Sequence, residues 1–263
     1  MARRRSDGMK PLHEAARRGD ARAVKNLLEV GANPNARTDN GDSPMHYAVE
    51  DSHVEVAKVL IEVCSNPKNI QGLTPLHRAA RHGYTGFIKM LIKAGADTNA
   101  QDEGGWTPLH CAASKDKAEA VGVLLDNGAN LNATNNDEDT PLHRAAKEGR
   151  AKALKVLLDS GADLYATNND GDTPLHLAAA GLNRENMIKL LLLAGASPNA
   201  TNNDGDTSLH LAATGLNQEK PVRLLLIAGA DPTAKNNCGQ TPWVLADGKR
   251  YTEIANLLRC WEK

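Results

Sequence analysis

Aromatic residues are scarce in this chain. Phe, Trp and Tyr make up 3% of its 263 residues, and Phe87 is the only phenylalanine. A core must therefore be filled by Leu, Ile, Val and Ala. No apolar run approaches the ~18 residues that a membrane-spanning helix needs. The amino terminus, MARRRSDGMK, is basic but leads into no apolar segment, so it does not read as a secretory signal. An excess of one charge is also lacking: 31 Lys and Arg oppose 32 Asp and Glu, for a net charge of −1. A protein held to nucleic acid by bulk charge shows a basic excess instead, so nucleic acid is disfavoured as a partner. The four cysteines, Cys64, Cys111, Cys238 and Cys260, lie far apart and form no CxxC pair. They are expected to be free, partly buried thiols in a reducing compartment, with the cytoplasm as the default location.

What the chain has in abundance is repetition. The stretch TNNDGDTPLHLAAAGLN from Thr167 recurs as TNNDGDTSLHLAATGLN from Thr201, differing only at Pro174/Ser208 and Ala180/Thr214. The four residues around each recurring His read KPLH, SPMH, TPLH, TPLH, TPLH, TPLH and TSLH, and a last copy reads TPWV. They start at Lys10, Ser43, Thr74, Thr107, Thr140, Thr173, Thr207 and Thr241, at spacings of 33, 31, 33, 33, 33, 34 and 34. Each unit shares one physical grammar. Thr or Ser before Pro is an N-cap with proline at the first helical position. A short helix with paired alanines follows, for example Ala79-Ala80 and Ala145-Ala146, which lets neighbouring helices approach closely. After a break, a second helix carries apolar residues at i, i+3 and i+4, as in Ile88, Leu91 and Ile92. A glycine closes it (Gly31, Gly95, Gly128, Gly161, Gly195, Gly229), where a helix end needs a left-handed residue. A polar turn such as NNDGD leads into the next unit.

This pattern, DGxTPLHxAA…LLxxGADxNA, resembles the ankyrin repeat over essentially the whole chain, and the period matches that architecture. The resemblance implies an all-α solenoid of stacked helix-turn-helix units with projecting β-turn or hairpin loops. Eight units are expected within one domain spanning 1–263, at about 5–37, 38–68, 69–101, 102–134, 135–167, 168–201, 202–235 and 236–263. The first and last read as caps, with Arg17, Arg18 and Arg22 at one end and Val244 in place of His at the other. One helix pair cannot bury its apolar face alone, and stacking copies buries a continuous core.

The pattern also breaks. The junction IEVCSNPKNIQG is two residues short and has Cys64 where the closing glycine belongs, so a local kink or altered curvature is expected between the second and third units. Ser52 and Asp116 replace a mid-unit glycine, and Glu138 replaces a turn glycine; keeping a left-handed backbone at Glu138 costs about 1–2 kcal/mol. The AGLN and TGLN segments add one residue to the inter-helix loop.

No chemistry of catalysis stands out. Seven histidines (His13, His46, His77, His110, His143, His176, His210) share one slot, and equivalent atoms in successive units lie ~10 Å apart. Zinc needs its ligands about 2 Å from one centre, so the row is no metal site. Each imidazole is instead expected to tie its turn to a neighbouring backbone or Thr group. HEAAR at His13 is not HExxH, and no Ser or Cys sits in a nucleophile motif. No enzyme activity, cofactor or metal is expected.

In the resembled family, partners contact a concave side built from turn tips and first-helix ends, so this chain is expected to be a non-enzymatic interaction module or adaptor. The positions carried over are Ile70, Leu73, Glu103, Trp106, Asp137, Asp139, Asp170 and Asp172 at the turns, and Arg81, His82, Lys115 and Lys147 at the helix ends. Ile70, Leu73 and Trp106 are apolar where other units place Asp or Asn, and they are expected to cluster. The acids form an expected rim and the cations a floor. The partner is expected to be a protein, with no membrane contact, and the chain a monomer. Two alternatives stand beside this: a nucleotide or RNA binder using Trp106, Lys115 and Arg81 on the same face, and a self-associating structural protein. A secreted effector acting in a host cell is a further setting, although no export address is visible.

Overall fold

A computed structural model describes residues 8–64, 67–181, 184–215 and 219–261, and for Arg184 the backbone only. The chain falls into two compact units, Met1–Asn130 and Leu131–Lys263. The first holds four helix pairs: α1 (Pro11–Arg18) with α2 (Ala21–Glu29), α3 (Pro44–Glu50) with α4 (Val54–Ile61), α5 (Pro75–His82) with α6 (Thr85–Lys93), and α7 (Pro108–Ser114) with α8 (Ala118–Asp126). The second holds four more: α9 (Pro141–Lys147) with α10 (Ala151–Asp159), α11 (Pro174–Ala180) with α12 (Arg184–Leu193), α13 (Ser208–Ala213) with α14 (Glu219–Ile227), and α15 (Pro242–Gly248) with α16 (Thr252–Trp261). Each unit is all-α, a stack of helix-turn-helix pairs. Among the described residues the only β pairing outside helices is an isolated antiparallel bridge, Thr201 to Thr207.

The short helices stand because each end is closed. Every first helix from α3 to α13 starts after a Ser or Thr in extended conformation, with proline next except in α13. At the far end of the second helices, Gly95 (φ 87°) donates to the Ile92 carbonyl at 2.9 Å and Ala96 to the Leu91 carbonyl at 3.0 Å, a Schellman closure. The same pair of bonds recurs at Gly31, Gly128, Gly161, Gly195 and Gly229. Helices of six to ten residues are marginal alone, so packing must hold them. Within the first unit α1, α3, α5 and α7 pack side by side, and within the second α9, α11, α13 and α15 do. The paired alanines Ala79-Ala80, Ala112-Ala113 and Ala145-Ala146 are fully buried in those seams. Leu76, Leu109, Leu142 and Leu175, one on each first helix from α5 to α11, are buried, each stabilising by about 2 kcal/mol.

The irregular positions behave as local chemistry demands. Ser52 (φ 59°), Asp116 (φ 56°) and Glu138 (φ 59°) keep the left-handed backbone of the glycines they replace, and Arg250 (φ 60°) does so as well. At the shortened junction α4 and α6 pack more loosely than the other neighbouring second helices of that unit. There the Cys64 N–H donates to the Leu60 carbonyl at 2.8 Å and its thiol to the Pro34 carbonyl at 3.5 Å, while Ser65 and Asn66 lie outside the described residues. The added residues of the AGLN and TGLN loops also fall on undescribed positions, Leu182, Asn183, Leu216 and Asn217.

Ser208 stands where the seven sister units have proline. It is fully buried and its hydroxyl finds no hydrogen-bond partner. Thr207 before it already holds φ −89° and ψ 166°, which suits a residue preceding proline. Ser208→Pro is expected to stabilise the fold by about 1–2 kcal/mol, by removing an unsatisfied buried hydroxyl and restricting the unfolded chain. Chemical denaturation checks this; a midpoint that falls sinks it.

Candidate functional site

The turns between units are built from side chains that mimic backbone. From Asn69 onward, an Asn or Asp four residues before the residue preceding the N-cap accepts two main-chain N–H groups; in the first turn the Thr38 hydroxyl accepts the Asp42 N–H at 3.2 Å. Asn69 Oδ1 takes those of Gln71 and Leu73, Asp102 those of Gly104 and Trp106, and Asn168 those of Asp170 and Asp172, at 2.8–3.0 Å. Successive turns then join through the backbone: Ile70 N–H to the Asn40 carbonyl, Glu103 to Gln71, Asn169 to Asp137 and Asn203 to Asp170, at 2.9–3.1 Å. A second tie links the Asn amide of one turn to the acid that ends the previous one. Asn69 donates to Asp42, Asn168 to Asp139, Asn202 to Asp172 and Asn236 to Asp206, at 2.8–2.9 Å.

The histidines complete this framework. His77 Nδ1 accepts from the Thr74 N–H at 3.1 Å and lies 2.8 Å from the Thr74 hydroxyl, so the ring hydrogen sits on Nε2, which donates to the Trp106 carbonyl at 2.9 Å. His46, His143, His176 and His210 make the same pair of bonds, ending on the carbonyls of Leu73, Asp172, Asp206 and Gln240. His13 reaches the carbonyls of Ala36 and Asp42. Burial holds the ring pKa down at His13, His77, His143 and His176, and at His46 to about 4, against the raising effect of the accepting carbonyls. These imidazoles are structural ties. Val244, in the same slot of the last unit, makes no such tie and is 38% exposed. Among the described residues no three His, Cys, Asp or Glu side chains are placed to hold a metal ion.

Against this geometry the expected contact residues divide. In the first unit Ile70 is 57% exposed on a turn whose Gln71 carbonyl receives the Glu103 N–H, so Ile70, Leu73, Glu103 and Trp106 come together on two joined turns. Glu103 is exposed; Leu73 and Trp106 are half-buried, since their slot faces the neighbouring turn. At the C-terminal ends of packed helices α5 and α7, Arg81 and the capping residue Lys115 are exposed. His82 is half-buried, stacked on Tyr84 at 5.2 Å and 3.2 Å from the Glu50 carboxylate. In the second unit Asp137 and Asp170 are exposed turn tips and Lys147 is exposed at the end of α9.

Two acids expected at the rim sit elsewhere. Asp139 is buried at 1% exposure, ion-paired with Arg144 at 3.2 Å and accepting from Asn168. Asp172 is half-buried under Asn202. The residue just before the N-cap is drawn inward because its own carbonyl must meet the preceding histidine, so a carboxylate there serves the turn-to-turn tie. Asp42 follows the same rule, 6% exposed and bound by Arg78 through both oxygens at 2.7 and 2.8 Å. The sequence shows this only as an Asp closing each of these polar turns, which equally describes an exposed acidic turn. Tyr165 was also missed: it replaces a recurring Asn, is 62% exposed, and its hydroxyl donates to the Gly195 carbonyl at 3.0 Å.

The family model described as ankyrin repeats (3 copies) matches residues 12–102, 87–168 and 161–236. A search of curated proteins found no match. Among solved structures the chain is similar to the human ASB11 ankyrin repeat domain, with 33% identity and a TM-score of 0.73, over 85% of this chain and 100% of that one. The chain belongs to the ankyrin-repeat family, whose repeats generally serve as protein–protein interaction modules.

Proposed function

We propose that this protein is a non-enzymatic binding module that recognises a partner protein through turn tips and first-helix ends. The supporting observation is the surface of the first unit: Ile70 exposed on joined turns with half-buried Leu73 and Trp106 and exposed Glu103, with Arg81 and Lys115 exposed at the ends of the helices those turns lead into. An exposed apolar residue beside half-buried ones, on an otherwise polar surface, is the chemistry of an interaction hot spot. The surface is set by backbone ties between turns, so little ordering entropy opposes binding. Asp137, Asp170 and Lys147 give the second unit a charged face of its own. The four cysteines are unpaired, which suits a reducing compartment such as the cytoplasm. No helix is long and apolar enough to cross a membrane.

Capture of partners by the immobilised chain, with and without nuclease, tests this. The variant Ile70→Ser/Trp106→Ala is expected to retain its helical circular dichroism and to lose a nuclease-resistant partner by about 30-fold. Capture that vanishes with nuclease and falls steeply with salt would replace the protein partner with a nucleic acid. Capture untouched by the variant would move the site away from Ile70 and Trp106.

A further inference from the structure

The second unit carries a row of equivalent positions on its second helices. Leu154, Ile188, Val222 and Ile254 are buried anchors, each at 0% exposure. Five residues after each stand Asp159, Leu193, Ile227 and Arg259, all exposed. In the first unit the four equivalent positions are charged: Glu29, Glu62, Lys93 and Asp126. In the second, two large apolar side chains stand in the middle instead, Leu193 at 76% and Ile227 at 73% exposure. α10 packs on α12, α12 on α14 and α14 on α16, so at ~10 Å per helix the row runs roughly 30 Å.

The order along the row is acid, apolar, apolar, base. Rotated by a half turn about its midpoint, it presents Arg259 to Asp159 and Ile227 to Leu193, in both directions at once. That is the requirement of an isologous twofold contact. Arg259 is already held in place, its guanidinium 5.0 Å over the Trp243 ring. We infer that this row is a self-association surface and that its occupant is a second copy of this chain, where the sequence alone led to the expectation of a monomer. Two apolar side chains and two charge pairs cover far less than the ~800 Å² per partner of a stable dimer, so the association is weak and reversible.

Sedimentation equilibrium of the full chain from about 10 μM to 1 mM tests this across the weak range. The mass is expected to rise toward twice that of one chain. Leu193→Ser/Ile227→Ser, which disturbs no hydrogen bond or ion pair, is expected to abolish the rise. Asp159→Arg and Arg259→Asp are each expected to weaken association by at least about 10-fold. An equimolar mixture of those two single variants restores both charge pairs and is expected to recover it. A chain that stays monomeric throughout overturns the inference, as does association that survives loss of Leu193 and Ile227. Failure of the mixture to rescue overturns the twofold pairing.

Discussion

Stability is expected to fall as the pH drops from 6.5 toward 4. Five buried imidazoles, at His13, His46, His77, His143 and His176, bind a proton less readily in the folded chain than in the unfolded one, because burial disfavours the charged ring. A local contact makes the same demand. Protonation would place a hydrogen on Nδ1, against the N-cap N–H that Nδ1 now accepts at 3.1 Å in His46, His77, His143 and His176. Above pH 6.5 the rings are neutral in both states and their contribution is fully present. Below it the unfolded chain takes up protons that the folded chain refuses, and stability is lost until the folded rings titrate, near 4 for His46. His46, whose folded value of about 4 lies well below 6.5, costs about 1 kcal/mol per pH unit in that window, and the other four rings act in the same direction. Urea denaturation at intervals from pH 7.5 to 4.5 reads the slope directly, and His46→Gln is expected to reduce it. A flat profile would falsify the neutral-tie account of this slot.

Loss of the Asp139 carboxylate is expected to cost about 3 kcal/mol, where loss of Asp170 costs less than about 0.5. Both acids lie in polar turns of similar composition. Asp139 is buried between Arg144 at 3.2 Å and the Asn168 amide at 2.9 Å, whereas Asp170 is exposed. Asp139→Ala leaves a largely buried guanidinium without that carboxylate and an amide donor without its acceptor. Asp139→Asn retains the shape and an acceptor for Asn168 but no charge for Arg144, and is expected to fall between the two. Denaturant midpoints of Asp139→Ala and Asp170→Ala decide it; equal small effects would return Asp139 to the surface.

The period, the caps and the closing glycines were all legible in the sequence, and the structure realises them at Thr74-Pro75, Thr107-Pro108 and Gly95. Each is local: a residue type forced by one backbone conformation or one unsatisfied N–H within four or five positions. The exceptions were legible for the same reason, since Ser52, Asp116 and Glu138 had to adopt the left-handed backbone of the glycines they replace. Of the surface, Ile70 could be placed, because an apolar residue broke a polar pattern. Asp139 could not, because its environment is made by residues up to 29 positions away.

By itself the sequence determined the helix pairs, their order and the use of histidine as a tie rather than a ligand. Tertiary structure decided which turn residues face outward and which are drawn in. Asp137 and Asp139 are two residues apart and chemically identical, yet one is exposed and the other sealed. A turn's own sequence fixes its bend, but the partner of each carboxylate belongs to the next turn, which reaches it only once the units have stacked.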